Sequence, residues 1–330
     1  MNRFWKWTKR IVTGLLILLL ISGALTYAAG GVAKSNLLRA NPAPGQLVDV
    51  GGFKMHIPCT GEGSPTVILI SGLDDFSIVW SRVQPEIART THVCSYDRAG
   101  LGWSEFAPGP RTSRGMVKEL HGLLVNAGVE GPYVIAGHSF GGALAELYIH
   151  TYPDEILGLV LVDSAPTNLF NRVPVWSRAI EQKLGFYRTL APLSSFGLLA
   201  FAPNKIPNRG FPDDALAQYR AISVATDYYQ AGIAENELFA SNLAEVGSAN
   251  IAFGDLPLIV LSRGRWDAMP GLTEEENAQA RQAWSDMQAE LLKLSRISKQ
   301  IIAEASEHSI QLDQSDLVIE AILELVHTSR

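Results

Sequence analysis

Gly137-His138-Ser139-Phe140-Gly141 sets a serine between two glycines, and Gly142 follows at once. An apolar run, Tyr133-Val134-Ile135-Ala136, leads into it, and a helix-patterned stretch, Ala143 to Tyr152, leads out. A strand, a tight turn and a helix in so few residues force the serine into a strained backbone. Side chains at the flanking positions would collide with the adjoining strand and helix, so glycine is required there. The turn presents the serine hydroxyl above a sheet edge and puts the Phe140 N–H at a helix N-terminus, where a developing oxyanion is stabilised. A chain carrying this turn needs a sheet whose strand ends at it and a helix that packs back on that sheet.

The rest of the sequence provides that sheet. Leu47 to Val50 and Lys54 to Pro58 flank Gly51-Gly52 and read as a hairpin. Thr66 to Ile70, His92 to Tyr96, Tyr133 to Ala136, Leu159 to Val162, Leu258 to Leu261 and Gln300 to Ala303 read as further strands. The later ones are continuous apolar runs, which marks parallel strands buried on both faces, and helices between them imply a doubly wound α/β sheet. Between Val162 and Leu258 lies a stretch with helical periodicity, no convincing strand and many aromatics, Phe170, Trp176, Tyr187 and Phe239 among them. It is too long for a crossover and predicts an inserted helical cap over about 165–250. Most of these aromatics hold the insertion together and a minority line a pocket. A second insertion, Thr273 to Ser295, predicts a surface helix with Thr273 and Glu276 at capping-box spacing.

Of the 330 residues, 47% are hydrophobic and only 18% charged, against an average charged fraction of about 25%. The N-terminus accounts for part of the surplus. Arg3, Lys6, Lys9 and Arg10 precede a charge-free stretch from Ile11 to Ala33, which as a helix spans about 34 Å, enough for a hydrocarbon core of about 30 Å. The basic flank predicts the N-terminus inside and the remainder outside, with Trp5 and Trp7 at the headgroup level. The alternative is a secreted protein whose signal peptide is cleaved after Ala28 or Ala33, although signal h-regions are usually about 7–15 residues. The expected organisation is a flank and anchor over 1–33, a linker over 34–46 and one domain over 47–330. Cys59 and Cys94 are the two cysteines, and an exported pair can be a disulfide. A net charge of -6 argues against a nucleic-acid partner. With no zinc-type cluster and no phosphate-binding loop, neither a metal nor any other cofactor is expected.

The elbow in its strand-turn-helix setting resembles that of the α/β-hydrolase fold superfamily. Tyr96-Asp97-Arg98-Ala99-Gly100-Leu101-Gly102-Trp103-Ser104 is similar to the D-R-x-G-x-G-x-S turn of cap-bearing members, and Ile70-Ser71-Gly72-Leu73 stands where they usually have His-Gly. The resemblance runs from about Leu47 to the C-terminus. It implies an eight-stranded, mostly parallel sheet with helices on both faces and an inserted helical cap. It makes Ser139 the nucleophile and the Leu73 and Phe140 N–H groups the oxyanion hole. Among the seven histidines, His308 alone sits in a loop after a late strand, where the chain order serine, acid, histidine puts the base. Two positions depart from the family pattern: Ser71 replaces the usual His, and Glu307 precedes His308 where Gly is usual. Two acids remain open, Asp163 at the end of strand six and Asp267 in Gly264-Arg265-Trp266-Asp267 after strand seven. The 41 residues from Asp267 to His308 exceed the family's spacing, and Asp163 is preferred. The family strand order makes strands two and four neighbours, which implies a Cys59–Cys94 disulfide.

These expectations combine into a membrane-anchored serine hydrolase cleaving a small-molecule ester, or an amide, through an acyl-enzyme. A carboxylesterase for small or medium apolar acyl groups is preferred. Peptidases and lyases use the same triad, and a catalytically silent binding module is the alternative of another class. Serine at the elbow argues against the cap-bearing dehalogenases and epoxide hydrolases, which attack with a carboxylate.

Overall fold

The computed structural model describes residues 3–329 apart from Thr226 and Pro270. Nine strands form among the described residues: β1 Gln46–Asp49, β2 Lys54–Ile57, β3 Cys59–Thr60, β4 Thr66–Ile70, β5 Val93–Ser95, β6 Tyr133–His138, β7 Ile156–Val162, β8 Leu258–Arg263 and β9 Ser298–Ala303. Seven of them make one sheet in the order β3-β5-β4-β6-β7-β8-β9, parallel throughout except where β3 runs antiparallel to β5. The expected hairpin forms as β1 and β2 but stands as its own two-stranded sheet. In the register of β3 on β5, Cys59 lies directly opposite Cys94, and the two form a disulfide that ties down the edge strand.

The helices of twelve residues or more are α1 Arg3–Ala40, α2 Ser113–Asn126, α3 Phe140–Thr151, α4 Trp176–Ser195, α5 Asp213–Ala225, α6 Tyr228–Gly247, α7 Glu274–Glu290 and α8 Ser315–Thr328. Alternation along the strands splits the core in two. Ile68, Ile70, Ile135, Leu159 and Leu161 face one layer with α2 and α3. Val67, Leu69, Val134, Ala136, Val160 and Val162 face the other, with Val318, Ile322 and Leu325 of α8. Because both faces are covered, β4 and β6 are buried along their whole length, which explains their unbroken apolar sequence.

Between β7 and β8 the described residues contain helices and no strand. α7 begins with the expected capping box, Thr273 and Glu276 bonding reciprocally. It is not merely a surface helix: Ala280, Trp284, Met287 and Gln288 are buried on its inner face. The sequence of α7 hides this because its two exposed faces are so rich in Glu and Gln. α1 is one continuous helix, long and apolar enough to cross a membrane.

Candidate active site

The elbow is strained as expected. Ser139 has φ 52° and ψ −121°, a region that side chains other than glycine rarely enter. A Cβ on Gly137 would lie 2.5 Å from the Gly141 carbonyl oxygen, and one on Gly141 would lie 2.3 Å from that of Ile70. The Ser139 N–H donates to the Val162 carbonyl at 3.1 Å, and the Ser139 carbonyl accepts from Gly142 at 2.9 Å and Ala165 at 2.9 Å. Neighbouring β7 thus holds the strained turn in place.

Beside it runs the loop after β4. A Cβ on Gly72 would meet His138 Nδ1 at 2.9 Å and Ser139 Cβ at 3.2 Å, so only glycine allows the loop to pass this close. The buried Arg98 guanidinium donates to the carbonyls of Ser71 (2.7 Å) and Gly72 (2.6 Å) and pairs with Glu235 of α6 through two bonds of 2.6 and 2.8 Å. Burial opposes its charge, but Glu235 more than offsets that and raises the Arg98 pKa. In a trans peptide the C=O and the next N–H point opposite ways. Turning the Gly72 carbonyl to Arg98 therefore turns the Leu73 N–H away from it. Ser71 in place of the usual His does not disturb this arrangement, because only its carbonyl is used. Neither the Leu73 nor the Phe140 N–H donates to another described group.

His308 lies in the loop after β9, and its Nδ1 is 2.6 Å from Asp163 Oδ2. Asp163, at φ 42°, is fully buried at the end of β7. Its Oδ1 accepts from Trp284 Nε1 (3.0 Å) and the Arg263 N–H (3.2 Å), and Arg263 Nε stands 2.7 Å from Oδ2. Burial alone would raise this carboxyl; Arg263 and the His308 hydrogen bond outweigh burial and hold its pKa at about 2. A carboxylate at 2.6 Å requires the imidazole proton on Nδ1, leaving Nε2 free as a base. The Arg263 Nη2, 3.2 Å from Nδ1, then acts as a charge. Burial first and Arg263 second lower the His308 pKa. Asp267 is not brought to His308. It is exposed after β8 and shares a hydrogen bond with Glu307, which raises the Glu307 carboxyl.

Four contributors were not legible as such. Arg98 lies inside a recognised motif without a visible task, and Glu235 is one of three glutamates in its helix, with nothing in the sequence to set it apart from Glu237 and Glu245. Arg263 is sandwiched between Trp266 and Trp284, its guanidinium carbon 4.6 and 4.4 Å from their ring centres. His138, inside the elbow, donates from Nε2 to the His308 carbonyl at 2.9 Å. Burial, then His308, pushes its pKa down to about 3, so it stays neutral.

Ser139 and His308 line one cavity of about 410 Å³. Leu169, Trp176, Ile180 and Phe239 form an apolar wall. Part of the cavity wall is polar, which the sequence did not suggest: Lys183 pairs with Asp74 at 2.9 Å, Arg209 with Asp75 at 2.7 Å, and the Tyr187 hydroxyl donates to Asp74. Among the described residues, Ser139 Oγ has no hydrogen-bond partner; such bonds often tighten only with substrate present. Of the metal-type clusters among the described residues, Cys59, His92 and Cys94 lie together, but both thiols are spent in the disulfide.

Comparison with known proteins agrees with this fold. A probable transporter of Hormonema carpetanum is 31% identical over 137 residues, covering 39% of this chain and 20% of that protein. A lipase of Mycobacterium tuberculosis is 36% identical over 115 residues, covering 34% of this chain and 42% of the lipase. This chain thus matches less than half the length of either relative. Among solved structures, an esterase of Thermogutta terrifontis superposes with a TM-score of 0.55 at 23% identity, covering 86% of this chain and 97% of the other. The family model described as "Alpha/beta hydrolase family" matches residues 67–321, so the chain belongs to the α/β-hydrolase family.

Proposed function

We propose that the chain is a serine hydrolase that cleaves carboxylic esters through an acyl-enzyme. The observation that carries this reading is the strained Ser139 facing the same cavity as the His308–Asp163 pair, beside the Leu73 N–H. Ser139 Oγ attacks the substrate carbonyl carbon while His308 Nε2 takes the hydroxyl proton. The oxyanion is held by the Leu73 and Phe140 N–H groups. His308 returns the proton to the leaving alkoxide, the ester bond breaks, and the acyl group stays on Ser139. Water, deprotonated by His308, then releases the acid and restores the serine. Asp163 orients the imidazole and stabilises its cation. The lowered His308 pKa keeps the base form present at lower pH than an ordinary imidazole would.

The acyl group fits the wall of Leu169, Trp176, Ile180 and Phe239, and the alcohol side fits the polar wall. The helices between β7 and β8 serve as the cap over this cavity. We read α1 as an uncleaved membrane anchor with the hydrolase domain outside; its solvent-facing side chains over 11–29 and the disulfide of an oxidising compartment support this. Treating the full chain in detergent with a fluorophosphonate probe tests the catalytic reading. One label per chain, absent in Ser139→Ala, is expected. No label where a control esterase reacts would overturn it.

A further inference from the structure

α1 is exposed from Ile11 to Ala29 and becomes buried at Gly30. There it crosses the turn after α4, where Gly197 has φ 71°. A Cβ on Gly30 would stand 2.5 Å from the Phe196 carbonyl oxygen, and one on Gly197 would stand 2.5 Å from the Gly30 carbonyl carbon. The two backbones touch, and only a pair of glycines permits it. Just before the crossing, Tyr27 packs edge-on against Phe196 with ring centres 5.7 Å apart. Just after it, Leu38 packs against the core that contains Tyr187, Phe211 and Tyr219. The apolar helix and the helical insertion therefore meet in a fixed joint.

That joint sets a depth. Tyr27 precedes Lys34, the first charge after the span, by seven residues, about 10 Å along the helix axis. The charge-free stretch exceeds a hydrocarbon core by only about 4 Å. With the span in a bilayer, Tyr27 and its partner Phe196 then lie at least about 6 Å inside the outer edge of the hydrocarbon core, among the upper acyl chains. The insertion exposes Phe186 (58%), Leu193 (37%), Phe196 (54%) and Phe201 (55%) around this point. Phe186 and Leu193 are seven residues apart on α4 and share one face. Cations stand beside these side chains: Lys34 and Arg39 on α1, and exposed Lys205 just after Phe201. Apolar side chains with cations beside them suit a phospholipid surface.

We propose that this face of the insertion docks into the outer leaflet beside the span, its aromatic side chains reaching the upper acyl chains. An adjoining face of α4, with Ile180, Lys183 and Tyr187, lines the cavity. The cavity is then roofed by a membrane-seated helix, and esters dissolved in the bilayer reach Ser139 from the lipid side. This rests on reading α1 as a retained anchor.

The test uses the full chain in phosphatidylcholine vesicles. Both native cysteines are in the disulfide, so single cysteines introduced as Phe196→Cys, Phe201→Cys and, as a remote control, Val125→Cys take an environment-sensitive fluorophore selectively. Labels at 196 and 201 should be blue-shifted and quenched by nitroxide-bearing lipids, and the label at 125 should be quenched only by aqueous iodide. Vesicle-associated protein with labels at 196 and 201 as open to iodide as that at 125 would overturn docking while leaving the anchor intact. Protein that does not float with vesicles would overturn the anchor and docking together. Thermal melts matching the unlabelled chain show folding, and Leu193→Cys replaces any position that fails this check.

Discussion

The loops leaving β7 and β8 each bring an aspartate to the same end of the sheet, yet their surroundings are opposite. Asp163 is fully buried and receives Trp284, the Arg263 main chain and His308, with the Arg263 guanidinium alongside. Asp267 is exposed and shares a hydrogen bond with Glu307. Burial without those donors would neutralise Asp163; the donors keep it charged in a place where water cannot screen its effect on the imidazole. β8 still reaches the site, but through its last residue, Arg263, rather than through the aspartate of the loop that follows. What sets Asp163 apart from Asp267 is a built environment, which the carboxylate in the familiar sequence position lacks.

The sharpest way to break this contrast is to neutralise each acid. Asp163→Asn should lower kcat on an activated ester by about 10⁴, whereas Asp267→Asn should leave kcat near wild type; comparable losses would dissolve the distinction. Next in size, removing Arg98 attacks the loop that offers the Leu73 N–H. Arg98→Met leaves Glu235 buried and unpaired and should cost about 3–5 kcal/mol in denaturant unfolding, with Arg98→Met/Glu235→Leu recovering much of it. Trp284→Phe takes one donor from Asp163 Oδ1 and should cost about 1–3 kcal/mol in stability, read in the same unfolding assay. The smallest effect is on pH dependence. Arg263 lowers the His308 pKa, so Arg263→Gln should raise it. The imidazole then protonates at higher pH, and the acid limb of the kcat/KM profile should move upward, with the high-pH plateau less affected. A limb that stays put would mean that Arg263 acts only on Asp163.

Much of the frame was legible because it is local. Continuous Val, Ile and Leu runs marked β4, β6, β7 and β8, and Gly137, Gly141 and Gly142 marked the elbow through a steric demand that the backbone itself imposes. His308 and the Cys59–Cys94 bridge followed from chain order and strand neighbours in the family. What stayed hidden depends on contacts between distant segments. Arg263 and Trp284 come from different elements and converge on Asp163 only in three dimensions. Glu235 and Arg98 are 137 residues apart, and neither carries a local signature of the other. The polar wall had the same cause: Asp74 and Asp75 are adjacent in sequence, but Lys183 and Arg209 reach them from the insertion.

The central claim, that Ser139 is acylated by an ester and activated by the His308–Asp163 pair, is tested most directly by trapping the intermediate. The full chain is mixed with a p-nitrophenyl acyl ester, quenched in acid within the first turnover and mapped by peptide mass spectrometry. The account predicts a burst of p-nitrophenol stoichiometric with enzyme and one acyl group on Ser139, both lost in Ser139→Ala and slowed in Asp163→Asn. Turnover that survives Ser139→Ala, or an acyl group found on another residue, would contradict it.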